Sequence, residues 1–101
     1  MVEIIWTDAA VDDFKQIVLH IQQDSKRYAE LLRDRVSHAL ESLSLFPKMG
    51  RILPEFPKSI YREIFVLDFR IVYRAENLPK LFIISMTHAR EDRPAIHPKL
   101  V

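Results

Sequence analysis

The sequence predicts an α+β domain, β-α-α-β-β-β in order, in which an antiparallel helical hairpin packs on one face of a small, mainly antiparallel sheet. Three observations carry that prediction. Apolar residues recur at helical spacing between residues 8 and 46. Pro47 closes the pattern, and beyond residue 60 three runs rich in β-branched and aromatic residues follow in quick succession. Between the two regimes lies a loop holding Pro47, Pro54 and Pro57 together with Gly50, the only glycine in the chain. A lone glycine marks either a turn that needs positive φ or a point where backbone passes close to backbone.

The elements follow in order. VEIIW at 2–6 has strand composition. Thr7 or Asp8 caps a first helix, 8–24, and Asp8, Asp12 and Asp13 suit the positive end of its dipole. Ala10, Phe14, Ile17, Val18 and Ile21 form one apolar face. Ser25 caps a second helix, 25–46, whose stripe is Tyr28, Leu32, Val36, Ala39, Leu40, Leu43 and Phe46. So short a connection makes an antiparallel pair. Phe14, Ile17, Leu40 and Leu43 should be buried between the helices and the sheet.

Strands are expected at 61–67, 69–75 and 80–88. The first two nearly touch at Asp68, so a tight antiparallel hairpin joins them. Residues 76–79 (ENLP) turn the chain again. The last strand carries Leu81, Phe82, Ile83, Ile84 and Met86 with almost no polar alternation. A sheet covered on one side alternates, so cover for its second face is expected from a partner chain or from self-association.

Composition bounds the function. A chain of 101 residues is one domain, 1–101, long enough to bury roughly 65% of its unfolded surface. It has no cysteine, which removes disulfides and thiolate metal sites. His20 and His38 have no second ligand type at metal-site spacing and read as surface or packing histidines. No metal and no cofactor are expected. The N-terminus lacks a basic and apolar leader, and no run reaches ~18 apolar residues. A cytoplasmic protein without a membrane partner is therefore expected. The net charge of +1 hides an asymmetry. Residues 1–46 carry five Lys/Arg against eight Asp/Glu, and residues 47–101 carry ten against six. Six of those ten are arginines, which suit bidentate anion recognition.

Four segments carry a family resemblance: GR-x-x-PEF at 50–56, the Arg62–Glu63 pair, DFRIVY at 68–73 and HARED at 88–92. Their order and spacing resemble the ParE and RelE superfamily of toxins. These are the toxin halves of bacterial type II toxin–antitoxin modules, also described as plasmid stabilisation proteins. The likeness covers nearly the whole chain. It implies a cytoplasmic toxin neutralised by a small antitoxin, part of which folds along the toxin's helices and sheet as it binds. Operator DNA would be met only through that antitoxin.

Two functions occur on this fold. The ribosome-dependent mRNA endoribonucleases resembling YoeB use a glutamate, an arginine and a histidine at positions matching Glu55, Arg70 and His88. There, general acid–base groups move the 2′-hydroxyl and leaving-group protons while arginine steadies the phosphorane charge. However, those relatives follow the histidine with tyrosine, and here it is Ala89. Residues 89–101 contain no Phe, Tyr or Trp to stack a base, and a net charge of +1 is small for a ribosome-binding nuclease. The ParE branch instead poisons DNA gyrase by binding it. It resembles this chain in the long helical hairpin and in the H-x-R-x-D signature, His88, Arg90 and Asp92. On that reading, which the residues favour, Arg51, Arg62, Arg90 and Arg93 bind the target and nothing is catalysed. A third class, a non-toxic homologue that only binds its antitoxin, shares the same motifs. As purely structural residues, Glu55 would act as a cap or pair with Arg51, Arg70 would pair with Glu63 or Asp68, and His88 would be a satisfied strand-end histidine.

Overall fold

The computed structural model describes residues 1–90. Its elements are β1 (Glu3–Trp6), α1 (Asp8–Asp24), α2 (Lys26–Leu45), β2 (Arg51–Ile52), β3 (Tyr61–Val66), β4 (Phe69–Arg74) and β5 (Lys80–His88). All but β2 match the sequence reading to within a residue at each end. The extra strand is only two residues long, too short to leave a period of its own. Thr7 Oγ1 accepts the Ala10 N–H and caps α1. Ser25 both ends one helix, donating its N–H to the Ile21 carbonyl, and begins the next, its Oγ accepting the Tyr28 N–H. One residue at the junction is why the two helices return antiparallel.

The sheet runs β1-β5-β4-β3-β2. β1 pairs parallel with β5, and every other pairing is antiparallel. Alternation along the central strand β4 divides the core. Phe69, Ile71 and Tyr73 point to the helices, where Leu32, Val36, Leu43, Leu81 and Ile83 join them. Val72 points the other way, into a smaller cluster with Leu53 and Tyr61, and Phe56 and Ile84 pack against it.

That second cluster corrects one expectation. The cover over the far face comes in part from residues 53–61 of the same chain rather than from a partner alone. The unbroken apolar run in β5 also has a local cause. Val72 pairs with Ser85 but Tyr73 pairs with Ile83, so Ile84 is bulged out of register. The bulge turns Ile83 and Met86 to the helices and Ile84 to the opposite cluster.

The core prediction holds for Leu43, which is fully buried. Phe14, Ile17 and Leu40 are only half-buried and pack at the margin of the core. The fully buried helical residues are instead Ala10, Ala29 and Leu32. At the end of the α2 stripe Phe46 is 65% exposed, because it is the C-cap residue and has left helical geometry.

Gly50 does not adopt positive φ. The close-approach reading is the right one. A Cβ there would lie 2.6 Å from the Glu63 carbonyl oxygen and 2.7 Å from the Tyr73 ring and hydroxyl. The Gly50 N–H donates to the Tyr73 hydroxyl at 2.8 Å, fixing the entry of β2 against β3 and β4. Burial pushes the Tyr73 phenol above its ordinary value of 10.0, the Gly50 hydrogen bond and Arg62 opposing it. Positive φ occurs instead at Leu67, 54°, in the two-residue turn between β3 and β4. Such a conformation costs a branched residue on the order of 1–3 kcal/mol. The packing of Leu67 against the helix-side core holds it there.

Two stability outcomes follow from this packing. Leu43→Ala should cost ~2–5 kcal/mol and Leu40→Ala less, read as shifts of the urea midpoint at constant slope. Gly50→Ala should cost ~1–3 kcal/mol by overpacking. Tyr73→Phe added to it should recover little, because the Glu63 carbonyl still obstructs the methyl.

Candidate functional site

The far face of the sheet carries a chain of alternating charges. Glu63 on β3 is 2% exposed, yet its carboxylate is held between two guanidinium groups. One oxygen receives Arg51 Nε from β2, its register partner. The other faces Arg70 Nε of β4 across 2.6 Å, out of hydrogen-bond alignment, so this contact acts through charge. Arg70, 9% exposed, also donates from Nη2 to Glu55 Oε2 at 2.5 Å, which draws the proline-rich loop onto the sheet. Strand alternation dictates the arrangement: Arg51, Glu63, Arg70 and the loop all lie on one face. Buried charges persist only when paired in this way.

His88 lies elsewhere. It pairs across the ladder with Phe69, which faces the helices, and the two rings meet edge-on at 5.4 Å. Its Nδ1 accepts the Arg90 N–H at 3.1 Å. Arg70 pairs with Thr87, one residue earlier, and so points through the opposite face. Of the three nuclease-type residues, Glu55 and Arg70 are brought together, and His88 is on the other side of the sheet.

On that side His88 borders a cavity of about 540 Å³ between α1, the start of α2 and the β3–β4 turn. Ile17, Ile21, Phe69 and Met86 give it apolar walls, and Asp13, His20, Tyr28 and Asp68 line it too. Asp13 Oδ2 accepts the Met86 N–H at 2.9 Å, pinning α1 to β5 just past the bulge. The Tyr28 hydroxyl donates to Asp68 Oδ2 at 3.3 Å. Burial first, and then the Asp68 charge, raise the Tyr28 phenol above 10.0.

The arginines expected to bind a target are mostly engaged. Arg51 belongs to the Glu63 network, although its side chain is largely exposed, and it lies over the Phe65 ring at 5.7 Å. Arg62 Nη1 donates to the Gly50 carbonyl at 2.8 Å. Arg90 is exposed. Arg93 and Asp92 lie outside the described residues. Arg74, another of the basic half, pairs with Glu76 at 3.3 Å and covers Phe82. Arg51, Arg70 and Arg74 are thus matched by Glu63, Glu55 and Glu76, and among the described residues the positive excess of that half rests on Lys48, Lys58, Arg62, Lys80 and Arg90. Sequence reasoning missed Glu63 as the hub, and Asp13, Tyr28 and Asp68 around the cavity. Strand alternation would have put Glu63 on the Arg70 face once pairing was known, but nothing local marks the other three. Among the described residues no cluster of three or more His, Asp or Glu could hold a metal ion, and no helix is long and apolar enough to cross a membrane.

Removing the hub isolates what it does. Glu63→Ala should cost ~3–5 kcal/mol, the usual loss when one member of a buried ion pair is deleted, while Arg51→Ala, at the exposed end, should cost ~1 kcal/mol or less. Chemical denaturation of the two variants checks the ratio.

Comparison with known proteins agrees with the geometry at the level of family. Residues 4–93 match the family model of the ParE toxin of the type II toxin–antitoxin system parDE. No curated protein matches the chain. The match spans both helices and the whole sheet but the first residue of β1, so the chain belongs to the ParE toxin family, the toxin side of type II toxin–antitoxin systems.

Proposed function

We propose that this toxin arrests growth by binding a protein target, DNA gyrase, and that a cognate antitoxin neutralises it. The supporting observation is the separation of His88 from the Glu55–Arg70 pair. A nuclease of the YoeB type needs base, acid and charge-stabilising arginine converging on one phosphodiester, with proton-transfer distances near ~3 Å. Here the sheet stands between them. Arg70 is also nearly buried and held by two carboxylates, so it offers little to an incoming phosphate. A binder needs none of this convergence, only an accessible surface. Exposed Arg90, the outward side of Arg51 and the neighbourhood of Arg62 supply cations for it, with Arg93 assigned the same role from the sequence. Operator DNA would be reached only through the antitoxin.

Growth arrest on induction, paired with two assays of purified protein, tests the proposal. The wild type should inhibit gyrase supercoiling and leave ribosome-bound mRNA intact. His88→Ala should remain fully toxic, since a binder transfers no proton. If His88→Ala abolished arrest while folding normally and the wild type cleaved mRNA, the nuclease reading would replace this one. Arg70→Ala is the poorer probe, because deleting Arg70 breaks the buried network whatever the mechanism. A wild type that binds antitoxin but never arrests growth would place the chain with the non-toxic homologues.

A further inference from the structure

The cavity beside His88 has the size of a small-molecule site. Its volume of about 540 Å³ falls in the range of roughly 300–1,000 Å³ usual for ligand pockets. Its floor is apolar and well packed: Phe69 of β4 and Met86 of β5 are buried. Ile17 and Ile21 of α1 are half-buried and pack against the same core. Aromatic rings come from three elements, Phe69 from β4, His88 from β5 and Tyr28 from the first turn of α2.

The charge on this lining has one sign. Among the described residues that line it, Asp13 and Asp68 are the only ones with a formal charge at pH 7, and no lysine or arginine is present. His20, His88 and Tyr28 are the other ionisable groups there. Asp68 is held in place from two sides. Its carbonyl accepts the Ala89 N–H at 2.8 Å, and its Oδ2 accepts the Tyr28 hydroxyl at 3.3 Å. Yet the residue is exposed, so its charge stands at the mouth of an apolar cavity on a fixed frame. That charge reaches inward, since after burial it is the next cause of the raised Tyr28 phenol.

These features select among ligands. A phosphate or another anion would meet two carboxylates. A metal ion would lack its ligand set, because no group of three or more His, Cys, Asp or Glu converges among the described residues. A neutral apolar molecule would fill the walls and leave Asp68 unused. A molecule with an apolar body and a cationic end matches both, and the aromatic rings add attraction for that end.

We propose that this cavity binds a small organic amine, its apolar body against Ile17, Ile21, Phe69 and Met86 and its ammonium group on Asp68. The site is independent of the gyrase and antitoxin readings. Because the walls come from both helices and the sheet, an occupant ties the hairpin to the β3–β4 turn, and the melting temperature rises with its concentration.

The probe is tryptamine, with tryptophol as its neutral counterpart and indolepropionate as its anionic one. Each is titrated into the full chain while the methyl resonances of Ile17, Ile21 and Met86 are followed. Tryptamine should shift them saturably with a Kd of about 1 mM or tighter, and the other two should bind at least about tenfold more weakly. Added salt should weaken tryptamine alone. Asp68→Asn keeps an acceptor for Tyr28 and should keep the melting temperature. It should cost tryptamine about tenfold, equivalent to 1.4 kcal/mol, and leave tryptophol unchanged. His20→Trp, at another exposed lining position, should weaken both by narrowing the mouth. Equal binding of tryptamine and tryptophol overturns the proposal in favour of a purely apolar pocket. Tryptamine affinity unchanged in both variants overturns it by placing the amine elsewhere. Methyl shifts that follow protein concentration instead of probe overturn it in favour of a second copy. Shifts caused by a co-encoded antitoxin, with none from tryptamine, overturn it in favour of a protein side chain.

Discussion

A buried carboxylate governs the far side of this molecule. Glu63 sits in the sheet with almost no contact with water, and only the flanking Arg51 and Arg70 guanidinium groups make that tolerable. Because Arg70 also holds Glu55, the pairing reaches from the sheet edge through the central strand to the proline-rich loop. The loop in turn lays Leu53 and Phe56 over Val72 and Ile84. Covering that face and neutralising that charge are one structural event. Its two arginines are matched by its two carboxylates, so the net positive charge of the second half is carried by other residues, Lys48, Lys58 and Arg90 among them.

The helix-side layer has its own tie. Thr7 begins α1 and donates its hydroxyl to the Ile83 carbonyl at 2.8 Å, and Asp13, nearly two turns on, accepts from Met86. These two contacts flank the bulge at Ile84, so α1 is registered on β5 at the point where the ladder slips. The cavity beside His88 opens beyond them, where α1 continues past the end of the strand. A histidine there is coupled to the helical hairpin and the β3–β4 turn, not to the arginines behind the sheet.

These two ties bear on how a ParE-family toxin works. A surface for protein recognition needs exposed apolar anchors with unopposed charge around them. The region from the end of α2 to β3 exposes Phe46, Met49, Ile52 and Ile60 and also Lys48 and Lys58, while Glu63 and Arg70 of the network are buried. Rigid backing matters as well. Gly50, pressed against the Glu63 carbonyl and bonded to Tyr73, holds the short β2 edge in place. The exposed side chains around it are therefore presented on a fixed frame.

The sequence alone determined the helical hairpin, its Ser25 junction, the three long strands and the family, because periodicity, capping residues and ordered motifs are local signals. It narrowed Gly50 to two explanations and could not choose between them, since close approach depends on what lies 13 and 23 residues away. Pairing of Arg70 with Glu63 is legible in the sequence as an option, but for Glu55 the sequence offers a cap or Arg51, and the partner is Arg70. Tertiary structure alone decided the rest. Which strand pairs with which fixes the face each side chain uses, and a single bulge reverses the alternation along β5. For that reason His88 and Arg70, 18 positions apart on neighbouring strands, could be read as partners in the sequence and yet stand on opposite sides of the sheet.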